Sequence, residues 1–262
     1  MSLKGAQMTP QFLGRNVFDL DDYSREEIMY ILEAAKGMKE INLREYKKIP
    51  TLRGKTVCTL FIENSTRTRM SFELAANRLS ADVVSFQASI SALQKGESLQ
   101  DTVYTLNAMG IDLYCIRHGS PGSPQLVHKY SGKPVINGGD GRHAHPTQAL
   151  LDIFSIWEKK GDLKGMSSTE LHSYYCLRMQ LERMSEGLFP SLEEYSKHYV
   201  LSKDTLKYAK KNALIMHPGP MNRGVEILPE IADSSDSVIV EQVANGVAVR
   251  MALMFLILGG KV

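Results

Sequence analysis

Val57-Cys58-Thr59-Leu60-Phe61-Ile62, then Glu63-Asn64-Ser65-Thr66-Arg67-Thr68-Arg69, then Met70-Ser71-Phe72-Glu73-Leu74-Ala75-Ala76-Asn77-Arg78-Leu79, sets the frame for the whole chain. The apolar first segment reads as a buried strand. The last segment reads as a helix, with Phe72, Ala75, Ala76 and Leu79 at helical spacing on one face. A strand, a hydroxyl-rich turn and a helix start make an anion-binding geometry. Backbone N–H groups point out of the first helical turn, and the helix dipole adds about half a positive charge there. Ser65, Thr66 and Thr68 add hydroxyl donors, and Arg67 adds a bidentate fork. No glycine-rich loop is present, so the stretch is neither a P-loop nor a dinucleotide fingerprint. On these residues alone, an ordinary helix cap with solvated arginines is an equal reading.

Outward from this unit, strands and helices alternate. Ser24-Arg25-Glu26-Glu27 is a capping box, and Ile28, Ile31, Leu32 and Ala35 make the helix behind it amphipathic. Val83–Phe86 reads as a short strand. Leu99, Val103 and Leu106 stripe a helix ended by Gly110, and Ile111–Ile116 follows as a strand. A short helix over 124–130 and a strand over 134–136 come next. His145-Pro146 then opens a helix with Leu150, Ile153, Phe154 and Trp157 inward, ended by Gly161, which is read as a bridge between domains. In the second half, 174–177, 213–216 and 237–240 read as strands, and 192–199 and 203–210 as helices. Val243, Val247, Met251, Met254 and Leu258 stripe the last helix. This alternation predicts parallel α/β units.

The bulk properties exclude little. The chain has 262 residues, 43% hydrophobic and 23% charged, an ordinary mix for a soluble globular protein. A net charge of +2 gives no argument for nucleic acid or membrane. Cys58, Cys115 and Cys176 lie in apolar runs and are expected to be buried reduced thiols, which suits a cytoplasmic location. Met1–Pro10 lacks the apolar core of a signal peptide. Ala252–Leu258 is apolar, but Arg250 and Gly259 bound it well short of the about 20 residues that span a bilayer.

Polar residues collect where strands end, the usual ligand site of open α/β sheets. The Ser65 loop, Arg117 and His118, His145, and His217 each follow a strand or its loop. His143-Ala144-His145 with Asp140 leaves a metal reading open, although no nearby group completes a ligand set. His118, His128, His172 and His198 are expected to be solvated.

The Ser65–Arg69 run resembles the carbamoyl-phosphate loop of the aspartate and ornithine carbamoyltransferases. Ser91–Ser98, His145-Pro146-Thr147-Gln148, and His217-Pro218-Gly219-Pro220 with Met221–Glu226 match that family in order, over about Phe12 to Leu258. The resemblance implies that the amine of L-aspartate attacks carbamoyl phosphate, giving N-carbamoyl-L-aspartate and phosphate for pyrimidine biosynthesis. It implies that Ser65, Thr66, Arg67 and Thr68 hold phosphate, that Thr68, Arg117 and His145 donate to the carbonyl oxygen, and that Gln148 meets the carbamoyl amide. By the same resemblance Ser91 and Lys95 reach into the site of a neighbouring subunit, hence a homotrimer with shared sites. Arg178 and Gln180 match the pair that grips the aspartate side-chain carboxylate, and Gly219 and Pro220 offer backbone carbonyls. No metal or other cofactor is implied, because the leaving group is already activated. A regulatory or pathway-enzyme partner stays open. The His217–Pro220 motif argues against a cationic acceptor; the alternatives are a carbamoyltransferase for another amino acid such as ornithine, or a catalytically crippled relative.

The expected fold is thus α/β, with two doubly wound parallel-sheet domains joined by a bridging helix. The first (1–150) binds carbamoyl phosphate. The second (151–262) binds aspartate, with the helix at 241–258 packing back on the first. One departure shortens the second domain near 165–174. Some 40 or more residues of the family pattern are missing there, and with them the arginine for the aspartate α-carboxylate. The intact C-terminal motifs suggest that the polypeptide still carries the segment and that a break hides between Gly165 and Tyr174, visible as a Cα–Cα step far above about 3.8 Å. A continuous chain would instead imply weak aspartate binding and little activity.

Overall fold

The apolar run at Val57 forms β1 (Thr56–Phe61), five of whose six residues are buried. The computed structural model describes residues 11–63, 65–87, 98–161, 163, 173–175 and 191–259. The chain forms two compact units, Met1–Leu150 with Gly246–Val262, and Leu151–Asn245.

In the first unit α1 (Arg25–Leu43) starts at Ser24 with both hydrogen bonds of the capping box in place. β1 leads to α2 (Thr66–Arg78), β2 (Asp82–Gln87), α3 (Leu99–Ala108), β3 (Leu113–His118), α4 (Ser123–Ser131) and β4 (Val135–Asp140). The four strands are all parallel, in the order β2-β1-β3-β4. Alternation sorts the side chains. Cys58, Leu60, Tyr114 and Ile116 point to one face, into a core with Val103, Leu106 and Val127 from α3 and α4. Phe61, of opposite parity, meets Phe72 of α2 edge-on at 6.3 Å.

β3 begins later than the expected Ile111 and continues through Arg117 and His118, so these two lie in the strand and not after it. Asp112 explains the shift: its carboxylate accepts from the Thr56 N–H (2.9 Å), and its own N–H donates to the Thr56 carbonyl (2.9 Å). β4 likewise outruns the expected 134–136. Its two glycines at 138 and 139 looked like a loop, yet the segment is buried throughout.

α5 (Pro146–Lys160) contains the boundary between the units. The second unit then has β5 (Ser173–Tyr175), α6 (Leu192–Tyr199), α7 (Lys203–Leu206), β6 (Leu214–Met216), α8 (Pro229–Ala232) and the start of α9 (Ile239–Leu258). β5 and β6 are parallel. The strand expected at 237–240 is absent. Ser237 makes one parallel bridge to Ile215, and Val238 already serves the helix, its carbonyl accepting from Gln242 N–H (2.8 Å). The helix expected over 203–210 stops after one turn, because Lys207–Lys210 offers no apolar stripe and Tyr208 is exposed. Val243, expected inward, is also exposed.

α9 is long and apolar enough by composition to cross a membrane, but 67% of its most apolar window is buried inside the protein. Its C-terminal part belongs to the first unit, where the Ile257 carbonyl accepts from Gly14 N–H (2.9 Å). Cys58 and Cys115 are free and buried, and burial pushes both thiols up, Cys58 to about 12. Cys176 and the stretch 164–172, where a break was expected, lie outside the described residues.

Candidate active site

The sheet order places the first unit's switch point between β1 and β3, since the chain winds from β1 to one side for β2 and to the other for β3 and β4. A crevice opens beyond the carboxyl ends of such a strand pair. Phe61 is in register with Arg117, and the Arg117 carbonyl accepts from Ile62 N–H at 2.9 Å, so the turn after β1 and the end of β3 are locked together.

α2 starts in that turn. Ser65 is its N-cap, but the Ser65 side chain caps none of the first-turn N–H groups, and no acidic residue lies in the first turn. Elsewhere Ser24, Ser98, Ser191 and Ser202 all cap their helices, each with an acid in the first turn. Thr66 and Arg67 are exposed, and Ser65 and Thr68 half-buried. Arg69 is turned to structural use, 3.5 Å from Glu73, which also accepts from Ser85 Oγ at 2.7 Å.

Arg117 and His145 meet at Gly139. Arg117 Nη1 donates to the Gly138 carbonyl (2.9 Å), and its Nε lies 3.3 Å from Glu63 Oε2. Gly139 has φ +118°, and a Cβ there would collide with Arg117 Nη1 and lie 3.6 Å from His145 Cδ2. Glycine is thus required twice, for the backbone angle and for the space the two side chains use. Burial, then the charges of Arg250 and Arg117, hold His145 well below its usual pKa of 6.5, so the ring is neutral. Gln148 lies in the first turn of α5, its N–H donating to the His145 carbonyl (2.9 Å).

Two residues without an expected role complete this corner. Arg250, only 4% exposed, donates to Ser71 Oγ of α2 (2.8 Å) and Thr147 Oγ1 of α5 (3.2 Å), and stacks over Phe72. Thr147 Oγ1 in turn lies 3.4 Å from His145 Nδ1. The sequence held one clue: Arg250 is a lone charge in the otherwise apolar run from Val247 to Leu258.

Asp140, the carboxylate of the open metal reading, is held by its own loop. Burial pushes its carboxyl up, but hydrogen bonds from Asn137 Nδ2, Gly122 N–H, Ala144 N–H and His143 outweigh it and hold the pKa low. The carboxylate organises the loop, and its lone pairs are committed. His118 and His128 are structural rather than solvated: His118 Nδ1 accepts from Ser120 N–H (2.8 Å), and His128 Nδ1 bonds the Lys133 carbonyl (2.8 Å). His198 is exposed, as expected.

In the second unit, His217 is fully buried at the end of β6. Its Nδ1 accepts from Gly219 N–H (2.8 Å), which puts its proton on Nε2, 3.2 Å from Glu226 Oε1. His217 N–H donates to Gln242 Oε1 (2.9 Å), whose Nε2 donates to Asp152 Oδ1 (2.8 Å). This network fixes the Gly219-Pro220 turn, whose peptide bond is cis. Ser91, Lys95, Arg178 and Gln180 lie outside the described residues, as does His172.

Comparison with known proteins gives a consistent family. The model described as "Aspartate/ornithine carbamoyltransferase, carbamoyl-P binding domain" matches residues 15–158, and that described as "Asp/Orn binding domain" of the same family matches residues 170–257. The chain is 46% identical over 300 residues to an aspartate carbamoyltransferase catalytic subunit of Moorella thermoacetica, covering 94% of this chain and 98% of that one. In structure it is similar to ornithine carbamoyltransferase from Pyrococcus furiosus (TM-score 0.83, 27% identity, 97% of this chain and 100% of that one). It shares the fold of an aspartate transcarbamoylase from Trypanosoma cruzi solved with carbamoyl phosphate and aspartate (TM-score 0.83, 22% identity, 96% and 100%). Since 94% of 262 residues is about 246, about 54 of the 300 positions aligned with the Moorella chain have no counterpart here. That shortfall agrees in size with the gap expected between Gly165 and Tyr174.

Proposed function

Because the chain belongs to the aspartate/ornithine carbamoyltransferase family, we propose that it transfers the carbamoyl group of carbamoyl phosphate to the amine of L-aspartate, releasing phosphate. The observation that carries this reading is the corner at the switch point. There an uncapped helix N-terminus, a guanidinium and a neutral imidazole come together on the carboxyl ends of β1, β3 and β4. The name of the Moorella relative supports aspartate as the acceptor.

The roles follow from chemistry. The α2 N–H groups, with Ser65, Thr66, Arg67 and Thr68, receive the phosphate dianion, which the helix dipole favours. As the aspartate amine attacks the carbamoyl carbon, negative charge grows on the carbonyl oxygen. Preorganised donors there lower the barrier most effectively. Thr68, Arg117 and His145 supply them, and Gln148 orients the carbamoyl amide. The C–O bond to phosphate then breaks, the phosphate leaves with the electron pair, and it takes up the proton that the amine nitrogen sheds. Arg178 and Gln180 hold the acceptor's side-chain carboxylate, and the Gly219 and Pro220 carbonyls take its N–H groups. Ser91 and Lys95 complete the site of the neighbouring subunit in a cytoplasmic homotrimer. No cofactor enters this chemistry. A pathway enzyme or regulatory chain is a further partner compatible with the reading.

The test is turnover by the purified chain with carbamoyl phosphate and either aspartate or ornithine. Carbamoyl-aspartate is the expected product. Citrulline instead would reassign the acceptor, and the absence of both would mark a crippled relative.

A further inference from the structure

Thr147 is fully buried, so its hydroxyl needs both a donor to accept from and an acceptor to donate to. Arg250 can only donate, which makes Thr147 Oγ1 the acceptor of their 3.2 Å contact. The Thr147 proton is then left for another partner, and His145 Nδ1 stands 3.4 Å away. A neutral imidazole that accepts at Nδ1 carries its proton on Nε2. The Cδ2 edge of the ring, adjacent to Nε2, is the edge that faces Gly139 and hence Arg117.

We propose that Arg250 and Thr147 are positioning residues that select the tautomer of His145: Arg250 orients the Thr147 hydroxyl, the hydroxyl donates to Nδ1, and the Nε2–H is thereby aimed as the donor to the carbonyl oxygen. The inference rests on the reading of His145 as a donor in carbamoyl transfer. Burial together with the two flanking guanidiniums excludes the imidazolium, which would donate from both nitrogens and make the relay superfluous. Arg250 also ties α2 to α5 through Ser71 and Thr147, so one buried cation joins the helix that starts the phosphate loop to the helix that starts at His145.

The test is read on the full chain labelled with 15N, by long-range 1H–15N correlation of the imidazoles. His145 is identified by the signals lost in His145→Gln. Wild type should show the Nε2–H form in the absence of substrate. Thr147→Val, nearly the same shape without the hydroxyl, should shift His145 toward Nδ1–H. It should lower kcat by about ten- to a hundredfold, because a misplaced donor is a lost donor. KM for carbamoyl phosphate should stay within about twofold, and Thr147→Ser should restore both tautomer and rate. An Nδ1–H form in wild type overturns the proposal without any variant, and so does a Thr147→Val chain with unchanged tautomer and kcat. The tautomer is read without turnover. A wild-type chain that makes no carbamoyl-aspartate therefore sinks the proposed function while the relay stands or falls on the spectra.

Discussion

The imidazole of His145 is partly buried between the guanidiniums of Arg250 and Arg117, and this gives it a measurable signature in stability. Its folded pKa is depressed well below 6.5, so below that pH the unfolded chain binds a proton that the folded chain refuses. Stability from this group is therefore present above pH 6.5 and lost as pH falls, at up to about 1.4 kcal/mol per pH unit. Urea unfolding of wild type and His145→Gln between pH 7 and 5 checks this: the wild type should lose more, and parallel curves would refute it. Arg67 offers a binding signature instead. Replacing it with alanine removes a charge-assisted donor from the first turn of α2, and calorimetry should show at least about a tenfold loss of carbamoyl phosphate affinity. At this scale the sequence singled out residues by their own type, Arg67, Arg117 and His145 among them, and the structure brings Arg117 and His145 together at Gly139. It gave Arg250 only as a lone charge in an apolar run and Thr147 only as part of a motif, and it assigned nothing to Gly139 or Glu63, because their roles come from contacts that the fold creates.

Helices and strands were legible to the extent that local signals fixed their ends. The Ser24 capping box marked the start of α1, and Gly110 and Gly161, both at positive φ, stand just past the ends of α3 and α5 as expected. Ser24→Ala should cost about 1 kcal/mol in denaturant unfolding with unchanged slope, because Glu27 N–H loses its 3.2 Å partner. A loss under about 0.3 kcal/mol would mean that Arg15, which pairs with Glu27, already holds the turn. The misread elements share one cause. Val238-Ile239-Val240 is β-branched and apolar, as a strand would be. Its length of pairing is a tertiary property, and a single bridge to Ile215 sufficed before α9 began. Asp112 similarly moved the start of β3 through a bond to Thr56, which no local pattern announces.

For the whole molecule, the four-strand first unit followed from alternation and apolar runs, while the second unit retains a two-strand sheet among the described residues. About 54 positions of the Moorella relative have no counterpart in this chain, and the family's arginine for the α-carboxylate is among the expected losses. A polypeptide that truly lacks the segment should show donor and acceptor binding separated: calorimetry should find carbamoyl phosphate bound normally, and aspartate bound weakly even when a carbamoyl phosphate analogue is present. Tight aspartate binding would show that the polypeptide carries the segment or that other groups replace the cation. Most of the first unit's sequence precedes residue 151, yet its last part begins only at Gly246. The consequence concerns biosynthesis. While the ribosome is still making the chain, the corner around His145 lacks Arg250, so Ser71 and Thr147 have no cation to join them. The first unit is translated first and finished last. On the proposed relay, a nascent chain that has not reached α9 lacks the cation that orients Thr147, and its donor site is complete only once that helix is made.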